Sequence, residues 1–349
     1  MITELSGIMS VSGFEYRAAG KIRELFEPYF DEIRTDRVGN HILIKRCGRA
    51  DASKILIDAH FDEIGMLVSD VLDGGFLRIT NIGGIDPAIM QAADVIVYAK
   101  EPLHGVVVSV PPHLRSDKNE KLPDVAELMV DVGLGYTIDE LRELIPLGTP
   151  VGFLPCYSEL GEGYIAGKSF DDKACAAIAA CAVGDLTANE LAGDVYLSLS
   201  TCEEAARVGG VAPVCFGEAP DYAMVIDVNL GNAPDAPERE TVPMGKGISI
   251  CFSAATDREL SRMTQSLCES KEIPFSLCVC PSSTGTNATA VNLVGEGIPV
   301  VDIGLPLRNM HTYNEVICLE DCETLYRAVR EFVCSSGIAE RFGKEAKYD

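Results

Sequence analysis

Acidic and imidazole side chains of the kind that bind divalent metals occur at five places where a predicted strand ends or a predicted helix begins. They are His60 in DAHFDEIG, Asp171-Asp172 in GKSFDDKA, Glu203-Glu204 in STCEEAA, Asp227 in MVIDVN and His311 in PLRNMH. Asp171-Asp172 lies just before an apolar helical segment, and a helix start leaves unpaired backbone N–H groups that suit carboxylates. One such carboxylate can also be shared by two metal ions. The pattern therefore predicts that the other groups converge on Asp171.

Two histidines in the chain follow apolar strands. His60 comes directly after KILIDA and precedes Asp62 in the pattern H-x-D-E, and His311 follows VVDIGLPLRNM. Neutral imidazole suits zinc or cobalt. An acid two residues away can orient the ring, and this is the role predicted for Asp62. Either histidine alone is more often a hydrogen-bonded structural residue, so the prediction also depends on the acidic groups.

Adjacent carboxylates at a buried strand end are unfavourable unless a cation or a proton offsets their repulsion and desolvation. Glu203-Glu204 follows the predicted strand YLSLST, and Asp227 closes the strand AMVI. A division of labour between the glutamates would relieve the repulsion, because one can bind metal while its neighbour accepts a proton from the attacking water. Each signal alone is weak, but together they predict a metal-assisted hydrolytic site.

The elements that position these groups alternate between strands and helices on either side of a strand-rich segment. Residues 1–65 contain the buried strand Lys54 to Ala59, whose carboxyl end is where open α/β sheets place their ligands. Residues 164–349 resume the alternation, with predicted helices over Ala174 to Ala188 and Leu319 to Val333. Because 349 residues exceed what one core usually holds, we predict an α/β catalytic domain built from residues 1–65 and 164–349.

Residues 66–163 have a different pattern. This segment is rich in turns and short strands, such as GMLVSDV, GGFLRITNIGG and LHGVVVSV, with helical periodicity only near Ile138 to Leu144. The pattern predicts an inserted small β-barrel or sandwich, with Pro111 to Leu122 as its most irregular loop. The alternative is that these strands continue the first sheet.

The composition excludes several classes of partner. The chain has 29 basic and 53 acidic residues and a net charge of -24, which argues against nucleic acid and anionic membranes. Its longest helix-like apolar run, Ala174 to Val183, is too short to cross a bilayer. The sequence shows no charged-then-apolar N-terminal signal, and its 13 cysteines form no disulfide-type framework. We therefore expect a cytoplasmic protein with reduced thiols.

Two pairs of cysteines are closely spaced. Cys278 and Cys280 form a C-x-C, and Cys318 and Cys322 are four positions apart. Neither spacing matches a structural zinc pattern. Both pairs are therefore predicted to pack as small apolar side chains.

Six segments in this order resemble the dinuclear-metal aminopeptidase family that includes glutamyl aminopeptidase, deblocking aminopeptidases and the tetrahedral TET peptidases, also described as cellulase-M-like peptidases. They are AHFDEIG, GKSFDDKA, TCEEAARVGG, MVIDV, STGTNA and LPLRNMH. The strand-rich segment resembles that family's dimerisation domain in GGFLRITNIGGIDP, VPPHL and ELMVDVG. The resemblance implies a mixed-sheet, three-layer zinc-peptidase domain with a β insert. It also implies an enzyme that removes N-terminal residues from short peptides, assembled from dimers into a dodecamer.

The resemblance further implies two divalent ions per subunit, with zinc or cobalt favoured and manganese as a further candidate. Asp171 would bridge the two ions. His60 and Asp227 would complete the ligands of one ion, and Glu204 and His311 those of the other.

The same resemblance implies that Glu203 acts as the general base and that Asp62 supports His60. Two other functions stay open. One is a hydrolase of the same fold that acts on a glycan or an acylated amine, although glycosidases usually use two bare carboxylates rather than paired metals. The other is a catalytically silent assembly protein that retains metal for stability.

Three positions depart from the family pattern, and none of them is a proposed metal ligand. Asn287 stands where the family usually has the aspartate of Gly-Thr-Asp-Ala, which affects the expected positioning of substrate. Lys173 stands where an arginine often follows the acid pair, so the charge is kept but the planar fork is lost. Ala205-Ala206 replaces Val-Gly after the glutamate pair, beside the predicted base.

Overall fold

A computed structural model describes residues 1–109, 123–133, 135, 137–206, 210–234 and 236–344. The predicted loop over Pro111 to Leu122 and the VPPHL segment lie outside the described residues, as do residues 207–209, where the helix predicted after TCEEAA was expected to begin.

The strands fall into a large sheet and a barrel. In chain order they are β1 (Glu32–Thr35), β2 (His41–Lys45), β3 (Lys54–His60), β4 (Gly65–Leu72), β5 (Phe76–Ile82), β6 (Asp94–Val97), β7 (Leu103–Val107), β8 (Met129–Asp131), β9 (Pro150–Phe153), β10 (Tyr157–Leu160), β11 (Tyr164–Gly167), β12 (Asp194–Ser200), β13 (Tyr222–Leu230), β14 (Ile248–Ser253), β15 (Phe275–Cys280), β16 (Val300–Arg308) and β17 (Glu315–Cys318). The large sheet has 11 strands and runs β1-β2-β12-β3-β13-β16-β17-β11-β10, with β14 paired to β16 and β15 paired to β14.

The centre of the large sheet is parallel. Strands β12, β3, β13 and β16 are neighbours in that order and point the same way, with Ser200 opposite His60 and Asp227 opposite Gly304. These strands are short runs of apolar, often β-branched residues that suit a position covered on both faces. Because parallel strands end at one edge, His60 and the segments that follow β12 and β16 reach the same edge of the sheet. Asp227 was predicted to close its strand, but β13 continues to Leu230. It still lies level with His60, because Val225 is opposite Asp58.

The described helices are α1 (Ile2–Ser6), α2 (Ala19–Phe26), α3 (Ile138–Leu144), α4 (Phe170–Gly184), α5 (Glu203–Ala206), α6 (Val211–Glu218), α7 (Arg258–Ser270), α8 (Ala288–Asn292), α9 (Leu319–Cys334) and α10 (Ser336–Phe342). Helices cover both faces of the large sheet, whereas α3 packs against the barrel. Successive residues of β3 point to opposite faces, so Ile55 and Ile57 join the apolar cluster beneath α4 and α9, while Leu56 joins the cluster beneath α6 and α8. The predicted fold class, a three-layer α/β domain with a mixed sheet and a β insert, is confirmed. None of the described helices combines the length and apolarity that a membrane span requires.

The inserted strands close on each other instead of extending the large sheet. Strands β4-β5-β8-β7-β6-β9 form a closed barrel. Its interior is filled by alternate apolar side chains, including Val68, Leu77, Val95 and Val130, each of which is almost fully buried. The barrel therefore has its own core, separate from the two apolar clusters of the sheet.

The barrel ends earlier in the chain than residue 163, where the insert was predicted to end. Strand β10 pairs with β11, and both belong to the large sheet, so the last barrel strand is β9 (Pro150–Phe153). The hairpin YSELGEGYIAG has the same short-strand pattern as the barrel, and its sequence alone does not reveal which sheet it joins. We propose that the insert ends between Phe153 and Tyr157.

A buried ion network joins the N-terminal segment to α4 beneath the site. Lys168 and Lys173 both donate to Oε2 of Glu63, at 3.0 Å for Lys173, and the Ser10 N–H donates to Oε1 at 3.1 Å. Lys173 also donates to the main-chain oxygen of Ile8 at 2.7 Å. Burial alone would raise the pKa of Glu63, but the two ammonium groups outweigh it and lower the pKa to about 2. The stability that this carboxylate contributes is therefore fully present above about pH 4.5 and is lost as the pH falls towards 2.

Replacing Lys173 with methionine should destabilise the fold by about 3 kcal/mol, because it leaves the buried Glu63 carboxylate with one ammonium partner instead of two. Burial lowers the pKa of Lys173 to about 7, so the check is the urea midpoint at about pH 6, where Lys173 is charged. The comparison is with Lys271→Met, which removes a half-exposed pair with Glu331 and should cost less than about 1 kcal/mol. Equal midpoints for the two variants would contradict this role of Lys173.

Candidate metal centre

Asp171 lies at an irregular helix start. It occupies the first turn of α4, but the backbone angles of Asp171 and Asp172 are not helical, the peptide bond between them is cis, and Ser169 before them has a φ of 55°. Regular helix begins only after this kink, close to the predicted start at Ala174. The kink places the Asp171 side chain at the carboxyl edge of the sheet.

The two carboxylate oxygens of Asp171 face two different clusters of ligand-type atoms. On one side His60 Nε2 lies 3.0 Å from Asp171 Oδ1 and 3.8 Å from Asp227 Oδ1. On the other side His311 Nε2 lies 3.5 Å from Asp171 Oδ2 and 3.3 Å from Glu204 Oε2. In each cluster the three candidate ligand atoms lie within 4.8 Å of one another. The structure thus brings together all five residues predicted as metal ligands.

The hydrogen bonds of His60 determine which ring nitrogen can bind metal. Its Nδ1 lies 3.1 Å from the main-chain oxygen of Asp62 and 3.4 Å from the Asp62 carboxylate. A proton on Nδ1 donated to Asp62 leaves the Nε2 lone pair directed at Asp171 and Asp227. The sequence prediction placed Asp62 beside His60 through its carboxylate, but the shorter contact is to its carbonyl.

The Asp62 carboxylate has a second set of partners. Its Oδ1 accepts the N–H of Glu203 at 3.0 Å, and its Oδ2 accepts the N–H of Glu204 at 3.1 Å. Asp62 therefore connects the strand that carries His60 to the turn that carries both glutamates. The side chains of Glu203 and Glu204 are positioned through these main-chain contacts.

The acidic groups of the site are buried without enough positive charge. Among the described residues, Asp171, Glu204 and Asp227 form ion pairs only with His60 and His311. Burial, followed by repulsion from neighbouring carboxylates, raises the pKa of Glu204 and of Asp227 well above the usual range.

His60 shows the opposite balance. Burial by itself would lower the pKa of His60, but its hydrogen bonds with Asp171 and Asp62 outweigh burial and raise it. Divalent cations between these groups would remove both the carboxylate repulsion and the need for a proton on His60. The donor set, imidazole nitrogen with carboxylate oxygen, therefore fits metal ions.

Two further acids hold the ligands in place. Glu315, at the start of β17 and 2% exposed, accepts the N–H of Asp171 at 3.0 Å with one oxygen and the N–H of His311 at 3.0 Å with the other. Asp172 accepts the His60 N–H at 3.1 Å. Sequence reasoning missed Glu315, because the strand β17 was not predicted and an acid four residues after a histidine is not distinctive.

Asn287, which stands where the family usually has an aspartate, is part of a buried polar contact below the site. Its amide donates to Asp58 Oδ2 at 2.9 Å and to Ser200 Oγ at 3.0 Å. Asp58 lies two residues before His60 on the same face of β3, and burial raises its pKa to about 6. An aspartate at position 287 would oppose this carboxylate, whereas asparagine donates to it. The local environment thus explains an amide at this position.

The barrel contributes to the wall of the site. The Phe153 ring lies 5.6 Å from the ring of Tyr313, on the loop that carries His311. A Cβ added at Gly84, on the loop after β5, would lie 3.0 Å from His311 Nδ1, so the loop and the imidazole are in close contact. The insert and the catalytic edge therefore meet at His311.

The chain is similar in sequence and in structure to known aminopeptidases. The model of the M42 glutamyl aminopeptidase family matches residues 39–327. The lysyl aminopeptidase of Pyrococcus furiosus is 27% identical over 326 residues, which is 92% of each chain. Among solved structures, an aminopeptidase of Desulfurococcus kamchatkensis is 28% identical with a TM-score of 0.87, over 95% of this chain and 93% of that one. A Pyrococcus horikoshii TET peptidase, described as assembling into a tetrahedron or a large octahedral shell, is 26% identical with a TM-score of 0.83, over 95% and 98%.

Replacing Glu315 with glutamine should lower the affinity for zinc by about 10- to 100-fold, because one N–H of Asp171 or His311 would then face an amide that donates instead of accepting. Titration of the metal-free protein against a chelating dye measures this affinity. Glu320→Gln, at an exposed position in the first turn of α9, is the control and should bind zinc as the unmodified chain does. An unchanged affinity in Glu315→Gln would show that the ligands do not need this support.

Proposed function

Because this chain belongs to the M42 glutamyl aminopeptidase family, we propose that it is a two-metal aminopeptidase that removes N-terminal residues from short peptides. The match confirms the resemblance inferred from the six segments, and with it that the chain is a peptidase. The single observation that supports the two-metal form is the position of Asp171, whose two oxygens face separate clusters, one with His60 and one with His311.

The proposed ligand sets follow these clusters. His60 and Asp227 with one oxygen of Asp171 would hold one ion, and Glu204 and His311 with the other oxygen would hold the second. When bound, such ions supply Lewis acidity towards the peptide carbonyl and make a water acidic enough to attack near neutral pH. Zinc or cobalt suits the mixed histidine and carboxylate donors best, and manganese is a further candidate.

Glu203 is the proposed general base. Its main chain is fixed by Asp62 next to the metal ligand Glu204, and burial followed by the charge of nearby carboxylates raises its pKa. A raised pKa brings a carboxylate closer to the value at which it can both accept and return a proton near neutral pH. We assign to its carboxylate oxygen the proton of the attacking water, which it then passes to the leaving amine nitrogen.

The groups of the proposed site suit an N-terminal amine. A substrate's free α-amino group would be held by metal and acidic groups, as a neutral amine on a metal ion or as a cation beside Glu203, which is not a proposed ligand. Asp171, Glu203, Glu204 and Asp227 all lie at one edge of the sheet. An N-terminal amine would therefore be favoured next to the scissile bond over an internal peptide segment.

The proposal also includes the oligomeric state and the cellular location of the protein. Since the similar Pyrococcus horikoshii peptidase is described as assembling into closed shells, we propose that this chain forms a homo-oligomer of dimers, up to a dodecamer, paired through the barrel. All 13 cysteines are free thiols, which fits the proposed cytoplasmic location.

Glu203→Gln should retain the metal content of the unmodified enzyme but lose about 10²- to 10⁴-fold in kcat, because the amide cannot accept the water proton. The assay is hydrolysis of aminoacyl-nitroanilides with added cobalt, zinc or manganese, together with metal analysis of the same samples. Glu162→Gln, at an exposed turn between β10 and β11, is the control and should keep full turnover.

Unchanged turnover in Glu203→Gln would overturn the assigned base. An unmodified enzyme that holds metal but hydrolyses none of these substrates would instead favour one of the two alternatives, a same-fold hydrolase with another substrate or a silent assembly protein.

A further inference from the structure

Three cysteines outside the candidate metal centre form a compact cluster of sulfur atoms. They are Cys251 on β14 and Cys278 and Cys280 on β15, and their Sγ atoms all lie within 4.8 Å of one another. The Cys251 and Cys280 sulfurs are 3.3 Å apart. The C-x-C of β15 was predicted to pack as small apolar residues because its spacing matches no structural zinc pattern, but the third thiol comes from a different strand.

The strand register explains why the three thiols meet. Strands β14 and β15 are parallel, with Cys251 directly opposite Cys278 and Ser253 opposite Cys280. Residues two apart on a strand point to the same face, so Cys278 and Cys280 lie side by side on the face that also carries Cys251. In the described part of the chain β15 pairs only with β14, so the thiols join an edge strand to its single neighbour.

The sulfur positions suit a single metal ion. Thiolates bound to zinc at roughly 2.3 Å in tetrahedral geometry lie about 3.8 Å from one another. The Sγ atoms of Cys251 and Cys280 are 3.3 Å apart, and none of the three Sγ–Sγ distances exceeds 4.8 Å. A spacing of this size is compatible with one bound ion. Cys251 is buried, whereas Cys278 and Cys280 are partly exposed, so an ion can enter from solvent and keep one position for an external ligand.

The electrostatic surroundings favour a cation at the cluster. Asp302 on β16 lies opposite Cys251, is 2% exposed and accepts a hydrogen bond from Thr286 Oγ1 at 2.7 Å. A cation held by the three sulfur atoms would lie on the face of the sheet that carries this buried acid and would compensate its charge.

We propose that Cys251, Cys278 and Cys280 form a separate site for one thiophilic metal ion, zinc or cuprous copper, which fixes the edge strand β15 to β14. Thiolate sulfur is the donor that these ions prefer. The site shares no residue with the candidate centre around Asp171, whose donors are imidazole and carboxylate. The two centres can therefore be observed separately by the chemistry of their ligands.

Cadmium is the probe, because only thiolate ligands give a cadmium complex its strong ultraviolet charge-transfer band. The reduced full-length chain, titrated without oxygen, should develop this band to saturation at one cadmium per chain. Cys278→Ser and Cys280→Ser each remove one partly exposed thiol and should weaken the band-forming affinity by at least about tenfold. Cys334→Ser removes a partly exposed thiol outside the cluster and should leave the titration unchanged.

A second measurement needs no variant. One equivalent of cadmium should protect Cys278 and Cys280 of the unmodified chain from alkylation, as read by peptide mapping, and leave Cys334 reactive. Three results would overturn the proposal. The band fails to form, or Cys278→Ser and Cys280→Ser bind cadmium as tightly as the unmodified chain does. The third is a disulfide between Cys251 and Cys280 in the freshly purified protein. None of these results depends on peptidase activity, so they leave the proposed function to its own test.

Discussion

The arrangement depends on one buried carboxylate, Asp171, that lies between two histidines on opposite sides. Its oxygens are 3.0 Å from His60 Nε2 and 3.5 Å from His311 Nε2, and Glu204 and Asp227 approach the same two imidazoles. Such a concentration of acids at a buried sheet edge is costly unless cations are present. The fold must therefore hold these groups together against their own repulsion. The hydrogen bonds around the site meet this requirement.

Backbone N–H groups and a few fixed side chains provide that restraint. Glu315 binds the N–H groups of Asp171 and His311, while Asp62 binds those of Glu203 and Glu204. Each contact is made by an acid that is not itself a proposed metal ligand. The ligands thus keep their positions through main-chain contacts, which leaves their side-chain atoms available for metal.

The positions of most candidate metal ligands were predictable from the sequence, because these residues follow segments with a clear strand pattern. The apolar run KILIDA predicts a central strand, and a central parallel strand delivers His60 to the ligand edge. The pair Glu203-Glu204 after YLSLST follows the same logic, whereas Asp227, predicted to close its strand, lies within β13. The change from helical to short-strand patterns also predicted a separate β insert, which the structure shows as a closed barrel.

The features that the sequence did not predict depend on contacts between residues far apart in the chain. The hairpin of β10 and β11 has the same pattern as barrel strands, and only its pairing with β17 assigns it to the large sheet. Glu315 gains its role from two N–H groups far apart in sequence, and the cysteine cluster forms only because β14 and β15 lie in register. The closing helix α10 (Ser336–Phe342) was also missed, because it has too few residues for clear periodicity.

Anomalous diffraction from crystals grown with zinc or cobalt tests the proposed role of Asp171 most directly. Two anomalous peaks should lie at the carboxyl edge of the sheet, each next to a different oxygen of Asp171, one beside His60 and the other beside His311. A single peak at that edge, or two peaks with Asp171 bound to only one of them, would contradict the proposed shared carboxylate.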